Sequence, residues 1–167
     1  MNPNISKKKG AIMTENLLSA DDCRSCPEKC CKFLDPSHLP VLTPDERDRA
    51  KRNDVKFTDF RNLHKIESEA KTPDGKTICP FLNENSGCSL DFHPFQCAIW
   101  PFYAMRFESK MVIALSPNCP FVNLRSLKEI LDAANGKIYN YIKMITDEFP
   151  GLIEDYYDEA VIIKIIG

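Results

Sequence analysis

Several features are scarce in this chain of 167 residues, and each shortage removes a class of function. Long apolar runs are missing: Val161-Ile162-Ile163-Lys164-Ile165-Ile166 is short and carries a charge, whereas roughly 20 apolar residues are needed to cross a bilayer. No membrane is expected as a partner. An excess of basic charge is missing too. Lys and Arg number 22 against 24 Asp and Glu, giving a formal net charge of -2, so no broad basic surface is expected to hold nucleic acid through its phosphates. The six glycines lie singly, which leaves no glycine-rich turn for a phosphate or a dinucleotide. Neither a Gly-x-Ser-x-Gly elbow nor a His-Glu-x-x-His helix occurs, and no catalytic residue is assigned. The acidic run Glu154-Asp155-Tyr156-Tyr157-Asp158-Glu159 reads as a solvated face.

Export is also not expected. Lys7-Lys8-Lys9 is followed only by short apolar pieces such as Ala11-Ile12-Met13 and Leu17-Leu18, too short for a signal-peptide core. Residues 1–20 read as a mobile tail and 21–167 as one cysteine-cluster domain, with a metal-binding core over about 23–120 and helices over about 123–163.

Cysteine is what the chain has in plenty. Eight cysteines in a chain expected to be cytoplasmic are unusual, because thiols there stay reduced and disulfides do not persist. Metal is the natural explanation, with four disulfides in a secreted domain as its rival. The cysteines form two sets, Cys23-x2-Cys26-x3-Cys30-Cys31 and the wider series Cys79, Cys88, Cys97 and Cys119. A Cys-x2-Cys pair lets two thiolates face one ion from a tight loop, and thiolate is the donor that zinc and iron favour. Adjacent Cys30 and Cys31 would point apart on an extended backbone, so they serve different metals or sit in a turn. All eight would complete two four-cysteine sites for zinc or for iron-sulfur clusters, and one site with spare cysteines is the other arrangement.

The order of motifs carries a resemblance. Cys23-x2-Cys26-x3-Cys30-Cys31 is followed by Cys79-Pro80-Phe81-Leu82, Gly87-Cys88-Ser89-Leu90, His93-Pro94-x2-Cys97-x2-Trp100-Pro101-Phe102 and Cys119-Pro120. From Cys23 to Pro120 this resembles the YkgJ-type cysteine-cluster family, a zinc- or iron-chelating or iron-sulfur domain. The resemblance implies that all eight cysteines are metal ligands, with a 4Fe-4S cluster ahead of zinc as the bound group. The family's usual Arg-Pro-x-x-Cys-Arg is here His93-Pro94-Phe95-Gln96-Cys97-Ala98, so any anion-binding role of those arginines does not carry over. His93, His38 and His64 stay outside the ligand set, and Trp100, Phe102 and Tyr103 are expected to shield the site from water. The signature is also distantly similar to flagellin lysine-N-methylase, which implies a small protein-modifying enzyme as a third reading. Only about 47 residues follow Pro120, little for a methyl-donor domain.

The expected fold is α+β: a cysteine-bearing loop region against short antiparallel strands, closed by C-terminal helices. Thr43-Pro44-Asp45-Glu46 is a capping box that opens a helix to about Arg52. Leu63 to Glu69 is expected to be a strand that turns at Pro73-Asp74-Gly75 into Thr77-Ile78-Cys79. Tyr103 to Glu108 and Met111 to Ser116 form a hairpin about Ser109-Lys110. Two amphipathic helices follow, broken at Asn135-Gly136, with a third near Ile153 to Ile162. Iron held as iron-sulfur for electron transfer or redox sensing is the expected function, a structural or chelating zinc site its alternative, and the protein partner is unassigned.

Overall fold

The structure, a computed structural model, describes residues 17, 18, 22, 25, 26, 30–50, 54–85 and 87–166. The expected tail lies outside those residues except for Leu17 and Leu18. The architecture is α+β, as expected, and the chain divides into two compact units: Cys23–Pro94, and Met1–Asp22 together with Phe95–Gly167.

In the Cys23–Pro94 unit the strands are short. β1 (Lys32–Phe33) is followed by β2 (Val41–Leu42) and helix α1 (Pro44–Ala50). The helix starts where the capping box places it: Thr43 Oγ1 accepts from the Glu46 amide at 3.3 Å, and Glu46 Oε2 accepts from the Thr43 amide at 2.9 Å. Its expected last turn, residues 51 and 52, lies outside the described residues. β3 (Phe57–Phe60) and β4 (Leu63–Ile66) form a hairpin in which Arg61 and Asn62 both take positive φ, 50° and 64°. β2 pairs with the other edge of β4, giving the order β2-β4-β3.

β5 (Thr77–Ile78) is the strand expected before Cys79, but its partner differs. It pairs with β1, Lys32 opposite Ile78, rather than with the 63–66 strand. The reason is local: the turn at Thr72–Gly75, with Gly75 at φ 87°, reverses the chain onto Lys71 and not onto β4. β6 (Leu82–Asn83) and β7 (Gly87–Cys88) complete the unit as a second small hairpin. Leu39, Leu42, Ala50, Val55, Ile66, Cys79, Phe81 and Phe92 form its apolar cluster, with Cys31 and Cys88 packed against it.

The second unit contains longer elements. Helix α2 (Phe95–Ile99) leads into β8 (Phe102–Phe107) and β9 (Lys110–Leu115). The hairpin is the expected one with its turn moved back by one residue: Phe107 faces Lys110, and Glu108 takes φ 55°. Helices α3 (Leu127–Asn135) and α4 (Lys137–Glu148) meet at Gly136, as their spacing predicts. β10 (Glu154–Asp155) and β11 (Val161–Ile166) then complete a four-stranded sheet of order β10-β8-β9-β11.

The third expected helix, near Ile153 to Ile162, is therefore corrected to two strands. Val161, Ile162 and Ile163 are β-branched and suit a pleated surface better than a helix, and the open edge of β9 supplies their partner. The helices cover the sheet face that carries Met111, Ile113 and Lys164: Thr146 meets Met111 Sδ at 3.4 Å, and Lys164 Nζ meets Asn135 Oδ1 at 2.8 Å. On the opposite face Met105, Val112 and Ala114 are buried with Ala160 under Tyr103 and Tyr156. Both faces of the sheet are thus apolar, and each large side chain fully removed from water there contributes about 1.5–3 kcal/mol.

No helix among the described residues is long and apolar enough to cross a membrane.

Candidate metal centre

The cysteines of the first unit are placed by its two smallest sheets. In the register of β1 with β5 the next pair along would be Cys31 and Cys79, and the Cys79 amide indeed donates to the Cys31 carbonyl at 2.8 Å. Cys79 then begins a turn closed by the Leu82 amide on the Cys79 carbonyl at 3.0 Å, with Pro80 in the position where its fixed φ suits the turn. The hairpin that follows sets Cys88 opposite Leu82, and Gly87, at φ 86°, takes the left-handed conformation that returns the chain. Three cysteines far apart in sequence, Cys31, Cys79 and Cys88, so come to one apolar cluster.

Their sulfurs share a pattern. The Phe81 amide donates to the Cys79 thiol, and the Leu90 amide, also two residues on, donates to the Cys88 thiol. Such N–H donation favours thiolate. Burial acts against it and dominates: it pushes Cys79 up to about 11, with the neighbouring Cys88 adding in the same direction, and it also raises Cys88. Without a cation both sulfurs hold their protons at neutral pH. A metal would replace those protons and leave the two amide donors in place to stabilise the charge, which is the chemistry a soft-metal thiolate site needs. Thiolate is the donor that zinc and iron favour, although among the described residues the sulfurs of Cys31, Cys79 and Cys88 are not gathered closely enough to hold an ion as they stand.

The other candidates are placed differently. Cys26 is buried in the same unit at 4% exposure, Cys30 is exposed in the turn before β1, and Cys23 lies outside the described residues. Cys30 and Cys31 sit in a turn, one of the two arrangements open to adjacent cysteines. Cys97, half-buried on α2, and Cys119, buried in a turn after β9, belong to the second unit. Among the described residues no two cysteines are joined in a disulfide, and no three His, Cys, Asp or Glu side chains are gathered closely enough to hold an ion.

The histidines show no ligand arrangement. His93 and His38 are exposed, and His64 Nδ1 lies 3.1 Å from Asp59 on the adjacent strand. Phe102 is core, while Trp100, Tyr103 and Tyr157 pack edge to face with centroids 5.6 and 5.8 Å apart. Trp100 Nε1 is buried with no hydrogen-bond partner.

No family model, no curated protein and no solved structure matches this chain.

The sequence reading missed the two amide-to-sulfur turns. Cys-Pro at 79–80 and Gly-Cys at 87–88 were their visible signals, since Pro and Gly each set a turn beside a sulfur.

Proposed function

We propose that the chain is a thiolate metal-binding protein, holding iron as an iron-sulfur group for electron transfer or redox sensing. The convergence of Cys31, Cys79 and Cys88 on one buried cluster, with an amide aimed at each of the last two sulfurs, carries this reading. Cys23, Cys26 and Cys30 are the further candidate donors in the 23–94 unit, while Cys97 and Cys119 belong to the other unit. Membership of the YkgJ-type family and a reducing, cytoplasmic location belong to the same proposal, because thiolates persist as ligands where disulfides do not form.

The test is metal and acid-labile sulfide content, with a visible spectrum, on protein purified without oxygen and without added metal, alongside Cys88→Ser. Iron with sulfide, lost in the variant, is the expected result. Stoichiometric zinc without sulfide would leave a structural or chelating site and end the redox reading. Metal content equal in variant and parent would remove Cys88 from the site.

A further inference from the structure

Two cysteines stand opposite each other across a two-stranded sheet of the Cys23–Pro94 unit. β1 and β5 run antiparallel, with Lys32 opposite Ile78 and Phe33 opposite Thr77. One step further along this register Cys31 meets Cys79, and the Cys79 amide donates to the Cys31 carbonyl at 2.8 Å. Residues paired in this way put their side chains on the same face. The packing agrees: Cys31 and Phe33 lie against the apolar cluster that contains Cys79, and Thr77 is fully buried. The Cα atoms of a hydrogen-bonded antiparallel pair are about 5.5 Å apart, and a disulfide most often spans about 5.5–6 Å. A bond between these two sulfurs therefore asks for side-chain rotation and not for movement of the backbone.

Cys88 is placed less well for such a bond. Its register partner is Leu82, and the Ser89 amide on the Phe81 carbonyl at 2.7 Å continues that hairpin, so the ladder that holds Cys88 does not set it opposite Cys79. Cys31 is half-buried whereas Cys79 is 7% exposed, so an oxidant in water reaches Cys31 first. We propose that Cys31 and Cys79 are a reversible disulfide pair, formed in the metal-free protein by a peroxide and undone by a dithiol. Cys31 Sγ attacks the O–O bond of the peroxide; one oxygen stays on the sulfur as a sulfenic acid and the other leaves as water. Cys79 Sγ then attacks the Cys31 sulfur. The S–O bond breaks as the S–S bond forms, and the hydroxyl leaves as a second water with the Cys79 proton. Two thiols thus lose two electrons and two protons, and one peroxide accepts them. The link closes β2, α1, β3 and β4 into one covalent loop, which restricts the unfolded chain. A sulfur in a disulfide is no longer a thiolate donor, so the oxidised pair and a metal on Cys79 exclude each other. That last consequence rests on the proposed function; the cross-link does not.

The experiment uses the full chain, reduced and freed of metal, beside Cys30→Ser, Cys31→Ser, Cys79→Ser and Cys88→Ser. Each protein is treated with equimolar hydrogen peroxide, quenched with N-ethylmaleimide and digested without reductant, and linked peptides are read by mass spectrometry. The expected product is an intramolecular link between Cys31 and Cys79 that dithiothreitol reverses. It is lost in Cys31→Ser and Cys79→Ser and kept in Cys30→Ser and Cys88→Ser. Should a serine variant misfold, fragment ions of the parent's linked peptides, which separate Cys30 from Cys31, decide by themselves. In the zinc-loaded parent, zinc at about ten times its dissociation constant slows cross-linking about tenfold, because only metal-free thiols react, and each link formed releases zinc to a chromogenic chelator. A link from Cys79 to Cys88 or Cys30, a link between two copies, or sulfinic acid without a link overturns the inference. A parent that binds no zinc yet forms the Cys31–Cys79 link ends the metal reading and leaves the cross-link standing. A parent that binds zinc but forms no such link does the reverse.

Discussion

Cys79 shows how one residue can be both core and ligand. Its side chain is 7% exposed among Leu42, Ile66 and Phe81, which makes it a good small hydrophobe while protonated. Ionising it without a cation is unfavourable, and its folded pKa near 11 stands above the ordinary 9.0. For a group raised on folding, the stabilisation is fully present below the unfolded value and lost as pH climbs through the folded one. Metal-free protein should therefore lose stability between about pH 9 and 11, and Cys79→Ala should flatten that decline; a chemical denaturation series across this range checks it. A decline of equal steepness in the variant would assign it to other groups. The same protons must leave when metal enters. If Cys79 and Cys88 both release one, apparent metal affinity rises about a hundredfold per pH unit below their pKa values, and a slope near zero would mean that neither sulfur is a ligand.

Among the elements, the ones with local causes behave as their sequence dictates. Ser126 Oγ accepts from the Glu129 amide at 3.3 Å while Glu129 Oε2 accepts from the Ser126 amide at 2.7 Å, a second capping box at the start of α3. Removing the first of these with Ser126→Ala should lower stability by about 1 kcal/mol, read as a fall in melting temperature; no fall would mean that the turn before α3, not the cap, sets the helix start. Gly136 is a sterner case, because a Cβ there would stand 3.0 Å from the Asp132 carbonyl oxygen, a backbone atom with little room to give. Gly136→Ala should therefore destabilise the α3–α4 junction, despite alanine's higher helix propensity, by about 1 kcal/mol or more. An increase in melting temperature would show that the junction relaxes.

These local signals make α1, α3, α4 and the β8–β9 hairpin legible in the sequence. Thr43 and Glu46 can cap each other wherever they occur, and the spacing of Ile138, Tyr141, Ile142 and Ile145 marks one buried face. What was not legible depended on partners. Thr77 and Ile78 choose β1 over β4 because of a turn four residues long, and Val161 to Ile166 become a strand because β9 has an open edge. The candidate site divides the same way: cysteine spacing announced thiolate chemistry, whereas the meeting of Cys31 with Cys79 and Cys88 needed the sheet register.

At the scale of the whole molecule the two units differ in how their cores are made. The Phe95–Gly167 part has six-residue strands and a twelve-residue helix, with apolar residues on both sheet faces. The Cys23–Pro94 unit has strands of two to four residues, and three cysteines are part of its apolar cluster or pack against it. Small units with few long elements commonly draw stability from a metal or disulfides, and a structural thiolate site can supply about 10 kcal/mol or more to a fold. If the proposed metal acts in this way, its removal should be felt unequally. Hydrogen exchange on chelator-treated protein should quicken by orders of magnitude over 57–66 and 77–90, where the backbone runs into the cysteine cluster, and change little over 102–115 and 137–148. Equal acceleration everywhere would mean that metal stabilises the molecule as one cooperative whole. No acceleration in either segment would mean that the apolar cluster around Leu42, Ile66 and Phe81 holds the unit without help, and that the cysteines serve something other than its stability.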